Sequence, residues 1–223
     1  DGGYAEYLRT GERALIKLPE SLAPKDVAPY TDAGLTAYRA AKKAARHLVP
    51  SEYAVMIGAG GLGHIGIQSL AALSPAEIIV VDKSDLALGL AKESGAHHLV
   101  KADGNETEAV LELTKGLGAE AVIDFVGEGG AIEKGLAMTR NAGSYYIVGY
   151  GGKIEIPAIE MIISEKTIVG NLVGTYAELV ELMALADRGL VNLATKEYSL
   201  ADANQALHDL HAGIIKGRAV LIP

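Results

Sequence analysis

Three glycines spaced G-x-G-x-x-G, Gly58, Gly60 and Gly63, follow the apolar run Val55-Met56-Ile57, and an apolar helical pattern runs on from Ile65 to Leu73. A strand that turns tightly into a helix aims free N–H groups at an anion above the sheet edge. In such a turn Gly58 permits the bend, Gly60 lets backbone approach a pyrophosphate, and Gly63 lets the helix pack on the strand, with Gly61 and Leu62 completing the loop. An acid, Asp82, ends the next apolar run, about 20 residues beyond the last glycine,. A carboxylate there accepts both ribose hydroxyls of an adenosine and repels a 2′-phosphate. The pattern therefore points to a dinucleotide, NAD before NADP, with the adjacent Lys83 leaving room for the phosphorylated form. The plainer role for Asp82 is a helix cap, which Ser84 or Asp85 would serve as well.

Ligands of open α/β sheets gather at strand C-termini. Phe125-Val126-Gly127 closes one apolar run and Val148-Gly149-Tyr150 another. Phe125, Val126, Val148, Gly149 and Tyr150 are read as lining the crevice, against the plainer reading of turn residues. His64 lies in the first turn of the glycine-loop helix, where a phosphate contact and simple packing are equally open. His208 and His211 share a helix face without companions and read as surface residues; His97-His98 opens a strand. The Glu-rich stretch Glu106–Glu112 reads as a solvated face.

Positioning these groups requires an alternation of buried strands and amphipathic helices. The strands expected are Ala54–Ile57, Glu77–Val81, His98–Val100, Ala121–Phe125, Ser144–Val148 and Thr167–Leu172, with helices Leu62–Leu73, Asp85–Ser94, Glu106–Leu117 and Gly130–Thr139 between them. Short β-branched strands such as Ile78-Ile79-Val80-Val81 belong to a parallel sheet covered on both faces. Right-handed βαβ units then give an α/β doubly wound sheet. Ahead of it, Ala5–Leu8 and Ala14–Leu18 read as short strands and Leu35–Leu48 as a helix. Behind it come helix Tyr176–Arg188, strand Thr195–Tyr198, helix Ala201–Ala212 and strand Ala219–Ile222.

The 223 residues carry a formal charge of −8 and no cysteine. That balance disfavours a nucleic-acid surface, and the lack of thiols removes disulfides and thiolate metal sites from this chain. No apolar run approaches the ~20 residues of a membrane span, and the N-terminus has no basic-then-apolar leader pattern. The expectation is a soluble cytoplasmic protein. The opening Asp1, in place of an initiator Met, is read as a longer protein entered in its middle.

In order along its whole length, the chain resembles the C-terminal two-thirds of a zinc-type medium-chain alcohol dehydrogenase. The resemblance rests on Asp1-Gly2-Gly3-Tyr4-Ala5-Glu6-Tyr7, Thr31-Asp32-Ala33-Gly34-Leu35-Thr36-Ala37-Tyr38, Gly58-Ala59-Gly60-Gly61-Leu62-Gly63, Val169-Gly170-Asn171-Leu172-Val173-Gly174 and Lys216-Gly217-Arg218-Ala219-Val220-Leu221-Ile222-Pro223. It implies a Rossmann domain over residues 35–172, flanked by parts of a mostly-β substrate domain at 1–34 and 173–223. It also implies NAD-dependent interconversion of alcohols with aldehydes or ketones, assisted by Zn2+, in a homo-oligomer (dimer or tetramer). Asp32 falls on the zinc-ligand position that is usually Cys and in several secondary-alcohol members Asp. Thr36, Leu172 and Val173 fall near the nicotinamide, and Arg218 on the pyrophosphate-binding arginine.

Two departures from the family pattern narrow the reading. The remaining zinc ligands and the proton relay would lie upstream of Asp1, and Ala87 stands where some members place a basic residue. The alternatives are a free-standing dinucleotide-binding module without catalysis and a zinc-free quinone reductase using NADPH.

Overall fold

The computed structural model describes residues 3–223. Asp1 and Gly2, which begin the first motif of the resemblance, lie outside the described residues.

After helices α1 (Pro24–Val27) and α2 (Ala33–Ala45), strand and helix alternate. The order is β1 (Tyr53–Ile57), α3 (Gly63–Leu73), β2 (Glu77–Asp82), α4 (Asp85–Glu93), β3 (His98–Lys101), α5 (Glu106–Leu113), β4 (Ala119–Asp124), α6 (Ala131–Met138) and β5 (Thr139–Ile147). Then follow α7 (Ala158–Ser164), β6 (Thr167–Gly170), α8 (Tyr176–Asp187), β7 (Thr195–Ser199), α9 (Ala203–His211) and β8 (Arg218–Ile222). Six strands form one parallel sheet in the order β3-β2-β1-β4-β5-β6, and β7 pairs with β8 in a separate parallel pair.

The central strands are mostly apolar because helices cover both faces,. One core joins Met56, Ile78 and Ile123 to Ala41, Ile67 and Leu70 on α2 and α3. The opposite core joins Val55, Ile79 and Val122 to Val110, Ile132 and Met138 on α5 and α6. Each fully buried Ile or Leu stabilises the fold by about 1.5–3 kcal/mol. A third cluster, including Tyr30, Tyr38, Ile65, Leu182 and Val191, fastens α8 and the following turn to α2 and α3. The strand order reverses between β1 and β4, and the crevice above their C-terminal ends is where the glycine turn emerges.

Several expected boundaries are corrected. Ala5–Leu8 and Ala14–Leu18 form no strand: residues 3–15 are exposed, no neighbouring strand offers a hydrogen-bond ladder, and Glu12–Ala14 is a 3-10 turn instead,. The Glu106 helix stops at Leu113 rather than Leu117 because Thr114 Oγ1 bonds back to the Val110 carbonyl and Lys115 and Gly116 turn left-handed. β5 starts at Thr139, ahead of Ser144, through an irregular stretch whose register with β4 shifts between Ala119 and Ala121. The last expected helix divides into a 3-10 turn, Leu200–Asp202, and α9. α7 was not anticipated: its isoleucines Ile159, Ile162 and Ile163 point outward, so no core-facing stripe marked it as a helix.

Candidate functional site

The glycine turn is built by contacts that only hydrogen side chains permit. Gly58 sits at φ +89°, and a Cβ there would lie 2.9 Å from Val126 Cγ2. A Cβ on Gly63 would overlap the Gly58 carbonyl oxygen, so α3 packs directly on the end of β1. Around Gly60, by contrast, a Cβ would meet nothing within 4 Å. That open side is the approach to the α3 N-terminus.

Asp82 closes the turn from the neighbouring strand. Its Oδ2 accepts the Ala59 N–H at 2.7 Å and its Oδ1 accepts the Ser84 N–H at 2.8 Å. The helix cap belongs to Ser84, whose hydroxyl accepts from Ala87 N–H, so Asp82 is not the cap of α4. Each Asp82 oxygen retains a second lone pair for an outside donor. Asp82 and Lys83 line a cavity of about 320 Å³ with Gly58, Val126, Glu106 and Lys134.

The wall of that cavity corrects the reading of Glu106 as solvated. Glu106 is buried, its carboxylate 2.5 Å from Lys134 Nζ and 2.7 Å from the Gly104 N–H it accepts. Burial alone would raise its pKa, but Lys134 and the backbone donors outweigh burial and hold the carboxyl below its ordinary value,. The sequence signal was masked because Glu108 and Glu112 beside it do face solvent.

Arg218, at the start of β8, reaches the same turn: a Cβ on Gly61 would lie 2.8 Å from Arg218 Cδ and 2.9 Å from its Nη1. Leu62 packs on the third core cluster. Phe125 packs against α3, its ring filling the space that a Cβ on Gly66 would take. Phe125 is thus chiefly a packing residue, whereas Val126 faces the cavity. Val148 packs on the sheet core and its N–H, with that of Gly149, donates to the Asp124 carbonyl. Gly149 abuts the Val126-Gly127 backbone, which ties the ends of β4 and β5 together. Beneath them Asp124 is wholly buried; its Oδ1 accepts from Val126 and Gly127 N–H, and Tyr145 donates its hydroxyl to Oδ2 at 2.5 Å. Burial and that hydrogen bond push the Tyr145 phenol far above its ordinary pKa, so it stays a donor.

A second group of expected residues gathers at the start of α2. Asp32 is the N-cap residue, its carbonyl accepting Thr36 N–H at 2.9 Å, but its exposed side chain makes no capping bond. Leu172 is exposed and Val173 adopts φ +39°, a strained conformation for a β-branched residue,. The next residue, Gly174, presses against Leu35 Cδ1, so this strained turn sits on the first turn of α2 beside Thr36. Tyr150 is almost fully exposed. His208 and His211 are exposed, as expected, while His97 Nδ1 accepts the Ile78 N–H and His98 pairs with Glu77.

Residues 61–188, more than half of the chain, match the family model described as zinc-binding dehydrogenase. The chain belongs to the zinc-binding dehydrogenase family. An NAD-dependent alcohol dehydrogenase of Sulfurisphaera tokodaii is 35% identical over all of this chain. A D-arabinose 1-dehydrogenase (NADP(+)) of Saccharolobus solfataricus is 31% identical, again over all of it. The chain spans 65% of the length of each of these relatives. The crystal structure of an alcohol dehydrogenase from Aeropyrum pernix superposes with a TM-score of 0.96 at 43% identity, covering 100% of this chain and 66% of that one. The α/β Rossmann architecture and the resemblance to zinc-type medium-chain alcohol dehydrogenases therefore stand.

No three His, Cys, Asp or Glu side chains come together to hold a metal among the described residues. Asp32 alone does not make a zinc site, which takes about three protein ligands. No helix among the described residues is long and apolar enough to cross a membrane.

Proposed function

We propose that this chain binds NAD and serves the oxidation of small alcohols, or the reduction of the matching carbonyls. Asp82 carries the proposal. Its carboxylate is locked to the glycine turn, keeps lone pairs free, and stands in a cavity wide enough for a nucleoside. Its charge would take ribose hydroxyls and disfavour a 2′-phosphate. The open side at Gly60 and the guanidinium of Arg218 suit a pyrophosphate, by backbone N–H donation and charge-assisted bonding. Bound NAD supplies the hydride acceptor of the reaction. The chain's part is to hold and orient it.

The division into a coenzyme-binding part, 35–172, and substrate-domain parts, 1–34 and 173–223, belongs to this reading. Thr36, Val148, Leu172 and Val173 are assigned to the nicotinamide end, and a dimer or tetramer would use the β6 edge of the sheet. Zinc assistance rests on the resemblance and on Asp32. With one carboxylate in place the described residues do not fit a complete metal site,.

Calorimetry of the chain with NAD, NADP and adenosine tests the reading. NAD binding that exceeds NADP binding supports it; failure to bind any dinucleotide overturns it. NADP draws support from Lys83 in the cavity and from the NADP(+)-linked name of the D-arabinose relative. NADPH preference with zinc-independent turnover would favour the quinone-reductase alternative. Alcohol-dependent appearance of NADH then separates an enzyme from a binding module.

A further inference from the structure

His64 is completely buried in the first turn of α3, out of reach of any ligand, yet both ring nitrogens are engaged. Nδ1 lies 2.8 Å from the Gly60 carbonyl oxygen, and the Ala194 N–H points at Nε2 from 3.3 Å. The tautomer follows from these partners: a backbone N–H donates only to an unprotonated nitrogen, so Nε2 is bare and Nδ1 carries the proton. Four residues on, Gln68 clasps the same segment, donating to the Asn192 carbonyl and accepting the Asn192 N–H, each at 2.8 Å.

Two consequences meet at the glycine turn. The carbonyl and N–H of one trans peptide point in opposite directions. The Gly60 carbonyl accepts the His64 backbone N–H at 3.3 Å as well as the ring Nδ1–H at 2.8 Å, so the ring reinforces a peptide orientation that turns the Gly61 N–H away from His64. Ala194, whose N–H His64 accepts, uses its own carbonyl to accept the Arg218 N–H at 2.8 Å. The position of Arg218 against Gly61 is thus tied to the His64 ring through one residue.

We propose that His64 is a positioning residue for the dinucleotide: it aims the Gly61 N–H and, through Ala194, fixes Arg218 beside the glycine turn. The proposal rests on the coenzyme reading above. It deepens that reading by assigning the pyrophosphate end of the site to a side chain that never touches the ligand.

The test compares NAD with adenosine, which has no phosphate and needs only the Asp82 end. In the 223-residue chain, His64→Phe keeps a ring without either hydrogen bond. NAD affinity is expected to fall tenfold or more, with adenosine affinity unchanged within about twofold. His64→Asn, which restores a donor near Gly60, and His64→Gln, which restores an acceptor near Ala194, should each recover part of the loss. Equal losses for NAD and adenosine, or wild-type NAD affinity in His64→Phe, would overturn the proposal. Should that variant not fold, NMR of the wild-type ring decides: a neutral Nδ1–H imidazole at pH 7, unchanged on adding NAD, supports the assignment, and an Nε2–H ring or an imidazolium overturns it. A wild-type chain that binds no NAD removes the coenzyme reading itself, whereas normal wild-type binding with an indifferent His64→Phe removes only this inference.

Discussion

Asp82 accepts the backbone N–H of Ala59 at 2.7 Å, so the acid ending β2 and the glycine turn ending β1 form one hydrogen-bonded unit. Asp82→Ala removes a charged acceptor for ribose, about 1.5–3 kcal/mol, and also the repulsion of a 2′-phosphate. NAD binding should weaken by roughly ten- to a hundredfold and NADP binding by less. Calorimetry with both coenzymes checks this; equal losses would refute the ribose role. Because Ala59 is buried, the orphaned N–H should also cost about 1–3 kcal/mol of stability, most of it recovered in Asp82→Asn,.

Gly60 and Gly63 should behave oppositely when changed to alanine. At Gly63 the new methyl would collide with the Gly58 carbonyl, so the fold should lose about 1–3 kcal/mol or more,. At Gly60 the methyl meets open space, so the melting temperature should hold while NAD affinity falls, since backbone can no longer approach the pyrophosphate closely. A stable Gly63→Ala protein would show that the close helix–strand packing is dispensable.

His64 predicts a pH dependence of stability. Burial first, and then the Arg218 charge, lower its pKa below the ordinary 6.5, although its bond to the Gly60 carbonyl works the other way. The unfolded chain thus takes up the proton more readily, so this contribution is fully present above about pH 6.5 and is lost as pH falls toward the depressed folded value,. Urea midpoints measured across the acid range should decline less steeply in His64→Gln, which has no proton to gain. Parallel curves would assign the decline to other groups.

Arg218→Ala should weaken NAD and NADP alike, by about tenfold for a lost charge-assisted bond. The remaining affinity should depend less on salt, because one screened attraction is gone. A discriminating loss between the two coenzymes would place Arg218 near the ribose instead.

Asp32→Ala should leave both the stability of this chain, within about 0.5 kcal/mol, and its NAD affinity unchanged. The carboxylate caps nothing and stands apart from the Asp82 cavity. A melting curve and one titration suffice, and a large drop in either would give Asp32 a structural duty.

The sheet was legible because its central strands are buried on both faces, and residues such as Ile78–Val81 or Val122-Ile123 leave little room for another reading. Gly58 and Gly63 were legible because a left-handed φ and a contact with no room for a Cβ admit only glycine there, and Asp82 stood out as the acid that ends an otherwise apolar run. What escaped depended on partners distant in sequence. Glu106 looks like its solvated neighbours until Lys134 folds against it. Extended segments such as Ala14–Leu18 carry a strand's alternation but have no neighbour to pair with. α7 shows its isoleucines outward, so the usual amphipathic cue was missing. The engaged state of His64 could not be read at all, since its decisive partner is a backbone N–H at Ala194.

That bond spans 130 residues of sequence, which bears on the order in which the molecule forms. The β1–α3 turn is local and can close early, its Gly60 carbonyl already held by His64 four residues on, but Arg218 is fixed beside it only after the segment at Ala194 has returned to α3. Long-range closures of this kind come late in folding. Coenzyme recognition should therefore lag behind the sheet during refolding, with secondary structure recovered before NAD binding.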